Sequence, residues 1–194
     1  LILETTDGGK TWQSWFDRVA NPRFMNLYSI RPAAGGLYIS GEGGVVFRHD
    51  AANRRFDAVP VDYAGSLFAV VDAGDAVLVC GLRGNLFRSA DGGATWQKVD
   101  GRLPATIVAG APIGPRTAVL ADQGGRLSVT RDGGVTFEPI KLAKNLPLTG
   151  VIDAGGGKLG LTGPFGALVV APGEDGAVQG VLELMGIPYT GPGL

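Results

Sequence analysis

The chain has 194 residues, 45% of them hydrophobic, and a formal net charge of −1; it can build a sizeable core, and no global field draws it to nucleic acid or anionic lipid. Glycine is abundant, at 33 residues, but follows no Gly-X-Y period, which excludes collagen, and no apolar run approaches the roughly 18 residues of a membrane helix. A single cysteine, Cys80, and a single histidine, His49, exclude an internal disulfide framework and a Cys- or His-rich metal cluster within one chain.

The chain opens Leu1-Ile2-Leu3-Glu4, inside an apolar strand and without Met or signal peptide, and reads as a fragment or processed product. The turn Thr5-Thr6-Asp7-Gly8-Gly9-Lys10-Thr11-Trp12 follows at once. Two further segments match it: Ser89-Ala90-Asp91-Gly92-Gly93-Ala94-Thr95-Trp96 and Thr130-Arg131-Asp132-Gly133-Gly134-Val135-Thr136-Phe137. Their aspartates lie 84 and 41 residues apart, so the first gap is two periods. A degenerate copy stands midway, at Phe47-Arg48-His49-Asp50 with Asn53, and a weaker one near Ala171–Gly176. Other landmarks keep the step. Leu27, Leu67, Ile107 and Leu148 each open an apolar run, and Gly41-Glu42-Gly43-Gly44 recurs as Gly81-Leu82-Arg83-Gly84 and, more loosely, at 122–125 and 163–166.

Each repeat predicts four short strands separated by Gly, Asp and Asn turns. In the cleanest they are 66–72, 76–80, 85–89 and 95–99. No stretch has a convincing helical period. Four strands per unit of about 40–45 residues is the pattern of a β-propeller blade. The prediction is an all-β chain, one propeller domain or part of one over 1–194, with a partial blade at 1–16 and blades at 24–57, 64–100, 105–141 and 146–185. The open edge of the partial blade leaves self-association or further strands to cover it.

The recurring pattern is [ST]-x-D-x-G-x-T-[WF]. Its Asp accepts N–H groups of its own turn, its glycines allow the reversal, its Thr adds a local bond, and its aromatic packs beneath. The predicted structural residues are Asp7, Gly9, Thr11 and Trp12; Asp91, Gly93, Thr95 and Trp96; and Asp132, Gly134, Thr136 and Phe137. Repetition spreads these aspartates around a rim, whereas catalysis needs convergent groups, so they read as turn staples rather than catalytic acids or calcium ligands. Trp12 and Trp96 are expected under their turns and Trp15 in solvent. His49 is expected at the surface, Cys80 as a buried filler, and Tyr28 and Tyr38 in packing positions.

These residues resemble the bacterial neuraminidase (BNR) or Asp-box repeat superfamily. Within it, the Gly-x-x-Gly turn, a short apolar strand and Arg88-Ser89-x-Asp91-Gly92-Gly93-x-Thr95-Trp96 look most like the photosystem II stability and assembly factor family. That resemblance implies the C-terminal part of a seven-bladed ring, a non-catalytic scaffold without cofactor or metal, a protein partner such as a membrane complex under assembly, and an extracytoplasmic setting in periplasm or thylakoid lumen. Sialidases also carry Asp boxes, so a glycoside hydrolase is the alternative. It needs an arginine triad, a Tyr–Glu pair and an acid Asp, and the four tyrosines and few glutamates show no such constellation.

In a blade, the turn between strands two and three shares a face with the connection to the next blade. Arg18, Arg23, Glu42, Tyr63, Arg83, Arg102, Gln123 and Lys144 fall in or beside those loops. They form the predicted partner-binding face, because loops on a rigid scaffold are a usual place for recognition.

Overall fold

The computed structural model describes residues 2–142 and 145–171 and the backbone of one short strand at 183–184. Its strands form five antiparallel sheets, taken in chain order. The first is two-stranded, β1 (Leu3–Glu4) with β2 (Gln13–Ser14). The second holds β3 (Leu27–Ala33), β4 (Gly36–Gly41), β5 (Val46–Asp50) and β6 (Arg55–Ala58). The third holds β7 (Leu67–Asp72), β8 (Val77–Gly81), β9 (Leu86–Ser89) and β10 (Gln97–Lys98). The fourth holds β11 (Ile107–Gly114), β12 (Thr117–Asp122), β13 (Leu127–Thr130) and β14 (Glu138–Ile140). The fifth holds β15 (Gly150–Gly155), β16 (Lys158–Gly163), β17 (Gly166–Val170) and β18 (Glu183–Leu184). Each four-stranded sheet is a meander paired in sequence order, which is the build of a propeller blade.

The inner strands explain the composition. β8 reads Val-Leu-Val-Cys-Gly and is buried at every position, because both its faces meet another sheet. Val77 and Val79 pack toward Tyr38, Val46 and Val61 of the preceding repeat. Leu78 and Cys80 pack toward Leu103, Ile107 and Leu120 of the following one. A strand buried on both faces is apolar throughout rather than alternating. Burial also pushes the Cys80 thiol up to about 12, far from a reactive thiolate. The outer β10 has its two residues, Gln97 and Lys98, in solvent.

Apolar clusters fill each successive gap between sheets, and the fifth sheet joins the stack through Leu148, Val151, Leu159, Leu161 and Leu168. The first strand of three sheets carries a register shift at one repeated place: Leu27/Ser29, Leu67/Ala69 and Ile107/Ala109. Such a bulge adds local twist.

The expectations for the two neighbouring tryptophans are reversed. Trp15 is buried, 6% exposed, among Ile39, Phe47 and Phe56, and its indole N–H donates to Glu4 at 2.9 Å. Trp12 is 57% exposed. The reason lies in the stacking. Trp15 follows its box by three residues, as Val99 and Ile140 do, and all three positions point into the next sheet's cluster. The box aromatic instead points back: Trp96 and Phe137 meet the sheet before theirs, and no preceding sheet stands against Trp12 among the described residues. His49 is half-buried rather than on the surface, its ring 5.5 Å from Trp15 and 5.1 Å from Phe56. Tyr38 is fully buried, but Tyr28 is exposed, tilted on Phe68 at 5.0 Å.

Candidate functional site

The three full boxes close with the same bonds. In the second, the Ser89 hydroxyl donates to Asp91 at 2.7 Å and accepts the Gly93 N–H at 2.8 Å, while Asp91 takes the Thr95 N–H at 2.9 Å and its hydroxyl at 2.5 Å. Thr5, Asp7, Gly9 and Thr11 repeat this at 2.7–2.9 Å. Thr130, Asp132, Gly134 and Thr136 repeat it at 2.6–3.0 Å. The bonds that reach the carboxylate stabilise its ionised form. The Thr11 N–H and hydroxyl hold Asp7 down at about 2, and the Thr95 hydroxyl and N–H do the same for Asp91. At Asp132 desolvation pushes upward, but the Thr136 and Thr130 bonds prevail and the group lies well below the usual carboxylate range. Acids this strong are poor proton donors at neutral pH. In the degenerate copy Asn53 replaces the Thr: Asp50 accepts the N–H groups of Ala52 and Asn53 at 3.0 and 3.2 Å and the Asn53 amide at 2.6 Å. The copy near 171–176 lies outside the described residues beyond Ala171.

Sequence reasoning missed the arginines that lash each turn to its neighbour. Arg88, on β9, donates to the Gly133 carbonyl at 2.7 Å. Arg116, paired with Asp75, donates to the Asp132 carbonyl at 2.8 Å. Arg48 lies one repeat before Arg88 and stands against Gly92. The 40-residue spacing of Arg48 and Arg88 was the visible signal.

The loop face is built by close approach of turn and connection. A side chain at Gly44 or Gly84 would collide with the carbonyl of Tyr63 or Leu103. The N–H groups of Glu42, Leu82 and Gln123 bond across to Asn26, Ser66 and Thr106 at 2.8–3.0 Å. The predicted face residues divide accordingly. Glu42 is spent locally, accepting the Asn26 amide at 2.9 Å. Tyr63 is half-buried on Phe87 at 5.2 Å, its hydroxyl donating to the Leu82 carbonyl at 3.2 Å. Arg102 is exposed but paired with Asp100 at 3.3 Å. Arg18 lies over the Trp15 ring at 5.3 Å. Arg23, Arg83 and Gln123 are exposed, and neither arginine has an ion-pair partner among the described residues. Lys144 lies outside the described residues. Arg23 and Tyr63 line one cleft of about 800 Å³ with Gly43, Gly44 and Asp62. Arg83 sits at the next junction, its N–H on the Thr106 hydroxyl at 3.4 Å. The face is a string of blade junctions and not one convergent pocket.

A separate cleft of about 470 Å³ is lined by β3, β7, β11 and the last sheet; its described ionisable groups are Tyr28 and Arg31, among apolar and hydroxyl side chains. No helix among the described residues is long and apolar enough to cross a membrane.

The BNR/Asp-box repeat family model matches residues 3–14. Among solved structures, the chain is similar to YCF48 from Cyanidioschyzon merolae, at 19% identity and a TM-score of 0.62 over 79% of this chain and 55% of that one. It is similar to YCF48 bound to a D1 peptide, at 14% identity and a TM-score of 0.63 over 79% and 52%. A virginiamycin B lyase from Staphylococcus aureus matches at 12% identity and a TM-score of 0.57 over 75% and 55%. The chain therefore spans about half of these propellers. A curated D-alanine–D-alanine ligase from Geobacter sulfurreducens shares 36% identity over 91 residues, 45% of this chain and 26% of the ligase. That match is too partial to transfer the ligase's activity. The chain thus carries an Asp-box repeat match at residues 3–14 on a fold of propeller blades.

Proposed function

We propose that this Asp-box propeller is a non-catalytic scaffold that binds protein, of the assembly-factor kind, through the loop face carrying Arg23 and Arg83. The observation behind the reading is how Arg83 is presented. Its backbone is left-handed, with φ 57°, and its turn is held between two connections, the Leu82 N–H on the Ser66 carbonyl of the preceding one and its own N–H on the Thr106 hydroxyl of the next. Its guanidinium is free in solvent, without an ion pair among the described residues. A non-glycine residue held in that conformation on a bonded turn is pre-organised for recognition, and arginine pairs bidentately with carboxylates. Fold similarity to a YCF48 bound to a D1 peptide favours a protein partner.

The glycoside hydrolase alternative requires carboxylates that trade protons, and the box aspartates are instead held ionised by their own turns. Turnover of fluorogenic glycosides, abolished by mutating a carboxylate, would favour it. The scaffold reading is tested by partner capture on the immobilised chain, with the parent and Arg23→Glu/Arg83→Glu compared at low and high salt. Exposed charges are screened within about 8–10 Å at ordinary ionic strength, so retention should fall with salt and fall at least tenfold in the reversed variant. Equal retention by both proteins, indifferent to salt, would remove this face from the account.

A further inference from the structure

Phe16 and Phe24 stand in the connection between β2 and β3, 56% and 73% exposed, their rings stacked at 6.0 Å with 15° between planes. The repeat supplies its own control for that exposure. Phe16 follows its box aromatic by four residues, as Asp100 and Lys141 do, and Phe24 precedes its inner-strand leucine by three, as Ala64, Pro104 and Asn145 do. All five counterparts are exposed, even where the sheets on both sides are present. These positions face solvent by the design of the blade, and at this junction alone both hold aromatics.

The pair is also held in place. Asn21 clamps the loop with both ends of its side chain, its amide donating to the Met25 carbonyl at 2.9 Å and its oxygen accepting the Met25 N–H at 3.0 Å. The Phe24 N–H donates to the Asn21 carbonyl at 3.1 Å. Phe24 is thereby fixed at φ 53°, a conformation costly for a bulky side chain and one that concentrates at ligand clamps. Beside it lies a cleft of about 510 Å³ floored by Ile2, Val19, Met25 and Leu27. Two exposed arginines neighbour the rings in sequence: Arg18, two residues after Phe16 and braced on Trp15, and Arg23, next to Phe24. Asp17 is the carboxylate that lines the same cleft.

We infer that the Phe16–Phe24 pair is the anchor point for an extended acidic peptide segment of the partner, which sets a tryptophan or comparable apolar side chain on the stacked rings and its carboxylates on Arg18 and Arg23. Rigid aromatics bordered by arginine are the composition of binding hot spots, and the net positive charge of the rim selects an acidic segment. The inference deepens the scaffold reading and rests on it.

The test uses the whole chain and three labelled twelve-residue peptides followed by fluorescence anisotropy: acidic with a central tryptophan, acidic with alanine there, and basic with tryptophan. The acidic tryptophan peptide should bind at least tenfold more tightly than either of the others. Phe24→Gly removes the ring and relieves the backbone, so the variant should keep the parent's circular dichroism and melting temperature while losing about tenfold in affinity. Phe16→Ser should lose a similar factor, and Arg18→Glu/Arg23→Glu should remove the salt dependence. Failure of the parent to bind the acidic tryptophan peptide saturably, or equal binding by parent and Phe24→Gly, overturns the inference. If Arg83→Glu weakens capture of the native partner while Phe24→Gly does not, this anchor is wrong and the scaffold reading stands. If both leave capture unchanged, the scaffold reading fails with it.

Discussion

The turns at Asp7 and Asp132 share a sequence pattern and an equivalent set of hydrogen bonds, yet one is bare and the other is enclosed. Nothing lies within 4 Å of a side chain built at Gly8, whereas one at Gly133 would meet Arg116 and Asp75. Trp12 stands in solvent, and Phe137 is 6% exposed against the cluster of Leu78 and Leu86. The comparison separates two contributions that a motif merges. The hydrogen bonds belong to eight residues and form wherever those residues occur. The burial belongs to the preceding blade and appears only where that blade stands.

The largest consequence concerns the aromatics. Phe137→Ala opens a cavity between two sheets and should cost about 3–5 kcal/mol in denaturant unfolding. Trp12→Ala removes a larger ring and should cost less than about 0.5 kcal/mol. Comparable losses at the two sites would mean that the box aromatic acts within its own turn.

The glycines sharpen the contrast next. Gly9 and Gly134 have φ of 88° and 85°, so alanine is strained at both, at about 1–2 kcal/mol. A β-carbon at Gly134 would also come within 2.5 Å of Leu78, while at Gly9 the nearest atom is on its own Trp12 at 3.8 Å. Gly134→Ala should therefore exceed Gly9→Ala by about 1–3 kcal/mol of overpacking, measured as the difference in unfolding free energy.

Much of this was legible from the chain. The 41-residue step and the landmarks Leu27, Leu67, Ile107 and Leu148 predicted four strands per unit, and the third sheet's strands fall within two residues of the predicted limits at each end. The residues that line up with the repeat were the readable ones. Trp12 and Trp15 were misassigned because a motif does not say which neighbour its aromatic meets. That direction depends on the order of blades in the stack, and Val99 and Ile140 held the answer three residues past each box. The loop face was legible as a set of positions but not as a set of free charges. That Arg102 is neutralised by Asp100 and that Glu42 is tied to Asn26 follow from side-chain geometry, to which spacing is blind. The contact made by Arg88 was not legible because its partner, the Gly133 carbonyl, lies 45 residues away.

A smaller effect is set by pH. The folded pKa of Asp7 and Asp91 is depressed to about 2, below an unfolded value of about 3.9. Their stabilisation is complete above about pH 4 and is lost as pH falls through about 2. The melting temperature should fall across that window, and Asp91→Asn should flatten the fall. An unchanged slope in that variant would show that other carboxylates govern the acid limb.

The most direct measurement of the central claim is native-state hydrogen exchange at Gly9, Gly93 and Gly134, whose N–H groups all donate to a Ser or Thr hydroxyl at 2.8–2.9 Å. The bonds are matched and the surroundings are not. If the neighbouring blade supplies the stability, Gly93 and Gly134 should exchange only by opening on the scale of global unfolding, and Gly9 by local opening several orders of magnitude faster. Equal protection at the three amides would contradict the account, because it would place the stability of the turn in its own hydrogen bonds.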